Sequence, residues 1–117
     1  MLKGIVFLLA VSAFLFFFSC ADHDKKAKNE EQQKAQALIT SSRCLTCHHA
    51  TETINGPAFI DIANRYAGRP DTIVGHLVKK VINGGAGEWG EVNMPPNTAV
   101  STSDAEIMLR YILSLRN

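Results

Sequence analysis

The chain has 117 residues, with 12 lysines and arginines against 11 aspartates and glutamates, so its formal net charge is +1. That length has room for one small domain. A charge so close to neutral gives no indication of a nucleic-acid partner.

The N-terminal segment has the pattern of an export signal. Lys3 gives a positive start, and no residue from position 4 to 21 is charged. A small residue followed by Cys20 resembles the cleavage box of bacterial lipoproteins, in which the cysteine becomes the lipidated first residue. We therefore predict a lipoprotein-type signal peptide over residues 1–19 and a lipid anchor on Cys20. Cleavage without lipid, at Ser19 or Ala21, and an uncleaved anchor are the alternatives.

A polar segment separates this signal from the rest of the chain. It runs "DHDKKAKNEEQQKAQ", mixes both signs of charge and has only alanine as an apolar residue. This composition predicts a flexible polar tether over residues 20–34 that turns helical near its end. The functional domain then covers residues 35–117.

Helical spacing dominates that domain and strand alternation is absent from the pattern, which predicts an all-α fold. One helix ends at the cysteine pair, a second begins at Pro57, a third is capped by Asp71, and a fourth opens with a capping box of Ser103 and Glu106. The stripes predicted to be buried are Ala35, Leu38 and Ile39; Phe59, Ile62, Ala63 and Tyr66; Val74, Leu77, Val78 and Val81; and Met108, Tyr111, Ile112 and Leu115. Such a short domain has a marginal core, which a large apolar cofactor would complete.

The stretch "RCLTCHH" carries the chemistry. A redox thiol couple would need a βαβ setting, and the pattern contains no such strands. A structural zinc site needs four ligands, yet His23 lies in the tether, His76 lies inside a helix, and no second half-site exists. The remaining interpretation is C-x-x-C-H, in which Cys44 and Cys47 form thioethers to haem c and His48 coordinates the iron.

The long loop between the third and fourth helices supplies a candidate for the other side of the iron. Met94 stands before Pro95 and Pro96 without apolar periodicity around it, so packing does not explain it. Met108 lies on the apolar stripe of the last helix and is predicted to be core. We therefore predict His48 and Met94 as the two iron ligands.

The order of "CLTCH", "GPAF", "GEWGEVNMPPN" and a final amphipathic helix resembles the small bacterial class I cytochromes c, over roughly residues 35 to 117. The resemblance implies four to five short helices around one covalent haem. It also implies that the Pro57 carbonyl accepts a hydrogen bond from His48 and that Trp89 donates one to a haem propionate. Asn97 would lie close to the methionine sulfur, and Tyr111 would pack the last helix against the first. His49 lies outside the motif and is predicted to face solvent.

The resemblance implies an electron carrier with no substrate turnover of its own and no small-molecule substrate. With the predicted anchor, it would be a membrane-bound, periplasm-facing carrier that links a quinol-oxidising complex to a terminal oxidase or another reductase. The alternatives are a haem-based gas or redox sensor with a displaceable Met94, and a thiol-disulfide oxidoreductase without haem.

Overall fold

A computed structural model describes residues 19–116, so the predicted signal peptide lies almost wholly outside the described residues. The helices are α1 (Ser19–Ser41), α2 (Phe59–Arg65), α3 (Pro70–Asn83) and α4 (Thr102–Leu113), with a short 3₁₀ turn at Cys44–Thr46 and two strands, β1 (Gly85–Gly87) and β2 (Gly90–Met94). None of the described helices combines the length and the apolarity that crossing a membrane requires.

By its internal contacts the chain separates into two units between Gln32 and Gln33. In the first unit the described residues belong to α1, which is helical from Ser19 onwards. The expectation of a flexible chain over residues 20–34 was therefore wrong about its secondary structure. Alanine, lysine, glutamate and glutamine all favour helix, and extending an existing helix avoids the cost of nucleation.

The second unit holds the core, and most residues of the predicted apolar stripes are buried in it. The predicted burial was too high for five of them, which are only partly buried against the core: Leu38, Ile62, Val81, Tyr111 and Leu115. Four buried residues lay outside the predicted stripes: Val100, Ala105, Leu109 and Leu113. Helix α4 packs against both α2 and α3, and Gln36 Nε2 of α1 donates to the Tyr111 hydroxyl at 2.8 Å. The buried cluster consists of Ile39, Phe59, Tyr66, Val74, Leu77, Val78, Val100, Ala105, Met108, Leu109, Ile112 and Leu113. The all-α fold is confirmed, and so is the placement of Tyr111 between the last and first helices.

The helix ends differ from the sequence prediction by one to two residues. Helix α2 begins at Phe59 and not at Pro57, and α3 begins at Pro70, before the predicted cap Asp71. The cap of α4 is Ser101, whose Oγ accepts from the Asp104 backbone N–H at 3.1 Å. The predicted capping box of Ser103 and Glu106, two residues later, is therefore not the one that forms.

The loop after α3 contains a small antiparallel hairpin, in which Gly85 pairs with Met94 and Gly87 with Gly90. Sequence patterning did not predict these strands, because glycines occupy the positions where alternating apolar residues would signal a strand. The hairpin leads directly from the end of α3 to Met94, and it thereby fixes where that side chain enters the domain.

Candidate functional site

A mostly apolar cavity of about 320 Å³ lies between the cysteine segment, α2, α3, α4 and the hairpin. Six residues singled out from the sequence line it: Cys44, Cys47, His48, Pro57, Trp89 and Met94. Met108 also lines it and is only 3% exposed, which confirms its predicted burial. Segments far apart in the chain therefore contribute to one chamber.

A tight turn brings the cysteines and the first histidine to that chamber. The Cys47 and His48 backbone N–H groups both donate to the Cys44 carbonyl, at 3.2 and 3.0 Å, and Arg43 enters the turn with a left-handed φ of 60°. The two cysteines form no disulfide. Burial raises the pKa of the Cys44 thiol, only partly opposed by a backbone hydrogen bond. Redox-active thiol pairs have the opposite character, with at least one thiol pKa lowered.

His48 is held by its Nδ1 atom, which donates to the Pro57 carbonyl at 2.8 Å. Its ring stacks on Phe59, with the centroids 5.5 Å apart and an interplanar angle of 19°. The hydrogen bond implied by the family resemblance is thus present. It places the proton on Nδ1 and leaves Nε2 with the lone pair that a metal ligand needs.

Gly56 makes this geometry possible, and sequence reasoning missed it. A Cβ at this position would lie 2.6 Å from His48 Cε1 and 2.9 Å from Nδ1. The Gly56 N–H also donates to the Cys47 carbonyl at 2.7 Å. The glycine next to Pro57 in "GPAF" was the available signal.

His49 is exposed, as predicted, but it also organises the loop that carries Pro57. Its Nδ1 accepts from the backbone N–H groups of Thr51 and Glu52 at 3.3 and 3.2 Å. Its carbonyl accepts from the Phe59 N–H at 2.9 Å. These bonds connect the residue after His48 to the start of α2.

Met94 ends β2, is half-buried and faces the cavity together with Pro95. Gly84 follows the last residue of α3 as its C-cap and has φ of 69°. A Cβ at Gly84 would clash with the Met94 carbonyl and would lie 2.8 Å from Pro96 N. A glycine is therefore required for the methionine segment to lie against the end of α3.

Asn97 fixes the same segment through backbone groups. Its N–H donates to the Val81 carbonyl at 3.0 Å, and its side-chain Nδ2 donates to the Ser42 carbonyl at 3.1 Å. Asn97 is not among the residues that line the cavity. Its proximity to the methionine sulfur, implied by the family resemblance, stays a prediction.

Trp89 lines the cavity at its rim and is 36% exposed. The Arg65 guanidinium lies 4.4 Å from the centre of the Trp89 ring, and Arg65 Nη1 donates to the Glu88 carbonyl at 2.7 Å. Lys80 also lines the cavity and donates from Nζ to the Ala86 carbonyl at 3.4 Å. Sequence reasoning missed Arg65, Lys80 and Glu88, which place charged groups at or against the hairpin.

Comparison with known proteins places this fold and site in a family. Residues 32–116 match the family model described as Cytochrome c. The chain is 38% identical over 79 residues to cytochrome c-552 of Nitrosomonas europaea, which covers 68% of this chain and 76% of that protein. It is 41% identical over 78 residues to cytochrome c-551 of Allochromatium vinosum, which covers 67% and 82%. The crystal structure of wild-type Nitrosomonas europaea cytochrome c552 superposes with a TM-score of 0.65 at 38% identity, covering 68% of this chain and 98% of that chain.

The chain therefore belongs to the cytochrome c family, as a small class I monohaem member. It carries one haem c, attached through Cys44 and Cys47, and acts as an electron carrier and not as an enzyme. The cavity fits that group, because two cysteines outside any disulfide and a histidine held by its Nδ1 atom border an apolar chamber.

Proposed function

We propose that the protein is an exported, membrane-anchored cytochrome whose haem iron is held by His48 and Met94. It would carry electrons from a quinol-oxidising complex to a terminal oxidase or another reductase. The observation that carries the iron assignment is that His48 and Met94, from separate segments, line the same cavity as both cysteines.

The side chains explain why this site suits electron transfer. When bound, the haem supplies an iron that cycles between Fe(II) and Fe(III). The Pro57 carbonyl, 2.8 Å from His48 Nδ1, makes the imidazole more basic and fixes its orientation. A thioether such as Met94 favours the reduced iron and raises the reduction potential. With both ligands in place, a substrate has no free coordination position.

Exposed apolar residues near the cysteine turn and the hairpin support a protein partner. Leu45, between the two cysteines, is 50% exposed, and Val92 on β2, which also lines the cavity, is 68% exposed. The chain is close to neutral overall. We therefore expect the redox partner to dock on an apolar surface next to the cavity, and not to be guided mainly by long-range attraction between opposite charges.

Absorption spectra test the iron ligation. We expect a low-spin c-type spectrum with the weak red band of methionine bound to Fe(III), and a haem stain that survives denaturing electrophoresis. Met94→Leu should lose the red band and lower the potential. The matched control, Met108→Leu, changes another cavity methionine at nearly constant volume and should keep the band.

Three outcomes of the same spectra contradict the proposal. An unchanged red band in Met94→Leu would show that another residue is the ligand. A high-spin iron that binds carbon monoxide in the unmodified protein would favour the sensor. A protein without covalent haem would exclude an electron carrier of this kind.

Membrane anchoring is tested by fractionation. Cys20→Ser should release the protein into the soluble fraction if a lipid on that residue holds it, whereas the neighbouring control Ala21→Ser should leave it in the membrane fraction. Retention of Cys20→Ser in the membrane would point to an uncleaved N-terminal anchor instead.

A further inference from the structure

An ion pair that the proposed function does not use lies against the cavity. Nε2 of His76, on α3, contacts Oε1 of Glu88, in the turn of the hairpin. The side chains are 53% and 30% exposed respectively, so the imidazole can exchange protons with solvent. Glu88 is also one of the residues that line the cavity.

The second oxygen of the same carboxylate distinguishes this pair from an ordinary surface ion pair. Glu88 Oε2 is buried and has no hydrogen-bond partner among the described residues. A buried carboxylate oxygen without a partner is costly unless nearby positive charge compensates it. The protonation state of His76 therefore affects the charge at the cavity wall.

The charged side chains that hydrogen-bond to the hairpin turn in the described residues come from α2 and α3, and the hairpin itself carries the exposed Glu91 on β2. From α2, Arg65 donates to the Glu88 backbone carbonyl and places its guanidinium over Trp89. On α3 itself, Lys79 and Lys80 follow His76 by three and four positions, and Lys80 Nζ donates to the Ala86 carbonyl. Arginine and lysine keep their charge throughout the neutral range, whereas histidine is the side-chain type that can change charge there.

We propose that the His76–Glu88 pair links protonation to the haem, so that the reduction potential falls as pH rises through the titration of His76. This rests on the proposed iron site. Oxidation removes one electron from the iron to the redox partner and leaves one more positive charge in the cavity. That charge disfavours the imidazolium, so His76 releases a proton to solvent. Reduction returns one electron from the donor and takes a proton up from solvent.

The experiment is a redox titration of the haem-loaded full chain from about pH 5 to 9, where an unperturbed histidine changes charge. We expect proton affinity at His76 to be about threefold higher in the reduced protein. At 59 mV per tenfold change for one electron, this corresponds to a total fall of about 28 mV. His76→Gln should give a potential that is constant across this range. Glu88→Gln should move the fall in potential to lower pH, because the imidazolium loses its carboxylate partner. The control His23→Gln, an exposed histidine of the first unit, should behave like the unmodified protein.

Two results overturn the proposal: a constant potential in the unmodified protein, or an unchanged pH dependence in His76→Gln, which would assign it to another group such as a haem carboxylate. The same samples report iron ligation separately. An intact red band with a constant potential refutes the proton linkage and leaves the iron site standing. A missing red band refutes the iron site whatever the pH dependence.

Discussion

Replacement of Gly56 by alanine tests how closely the histidine ligand is fitted to its loop. The added Cβ would lie 2.6 Å from His48 Cε1, whereas nonbonded carbons prefer about 3.5 Å or more. The imidazole or the loop must therefore move by about 0.9 Å. That displacement is enough to lengthen or break the 2.8 Å bond from Nδ1 to the Pro57 carbonyl.

Overpacking of this kind costs about 1–3 kcal/mol, and a lost hydrogen bond adds about 1 kcal/mol. We expect Gly56→Ala to lower the free energy of unfolding by about 2–4 kcal/mol. For a domain of this size each kcal/mol shifts Tm by about 4–8 °C, so Tm should fall by at least about 8 °C. The assay is thermal unfolding of the haem-loaded protein followed by circular dichroism.

Gly75→Ala is the matched control for this experiment. Gly75 lies inside α3, and a Cβ added there would meet, among the described residues, nothing beyond its own helix backbone within 4 Å. Alanine there should stabilise the protein by about 0.5–1 kcal/mol, because glycine disfavours helix. If Gly56→Ala melts at the temperature of the unmodified protein or above it, the close fit between Gly56 and His48 does not constrain the site.

Further substitutions test other contacts through the same melting assay. Ser101→Ala should cost about 1 kcal/mol, because it removes the helix cap, whereas Ser103→Ala should cost much less; an equal loss would show that both serines cap α4. Arg65→Met should cost about 1–2 kcal/mol, because the cation–π contact with Trp89 and a hydrogen bond are lost; an unchanged Tm would mean that solvent replaces both. Asn97→Ala should cost about 1–2 kcal/mol, and a simultaneous shift of the red band would show that Asn97 also contacts the sulfur.

The parts of this protein that sequence predicted well are those encoded locally. The attachment motif occupies residues 44–48, and each helix carries its own apolar stripe. Met108 lies within the apolar period of the last helix, and its predicted burial is confirmed, since it is 3% exposed. Features of this kind can be recognised from the local sequence alone, without knowing which distant residues they contact.

The parts that sequence missed depend on partners elsewhere in the chain or on a choice between equivalent signals. Arg65 meets the hairpin 23 residues later, and His76 meets Glu88 12 residues later. Neither contact lies within a single helix or strand, so the periodicity of the sequence could not predict it. The cap of α4 was ambiguous for another reason, since "STSDAE" offers Ser101 with Asp104 and Ser103 with Glu106 at the same spacing, and only the backbone geometry selects the first.

The contact between the first and last helices has a consequence for the order in which the protein assembles. Gln36 and Tyr111 are 75 residues apart, and Ser42 and Asn97 are 55 apart. Contacts of such long range form late in folding, because loop-closure entropy opposes them. A chain that emerges N-terminus first displays the attachment motif before α4 exists. Because both attachment cysteines lie within residues 44–48, the thioethers could form before the distant segments are in place. The attached haem would then offer those segments an apolar surface on which to pack.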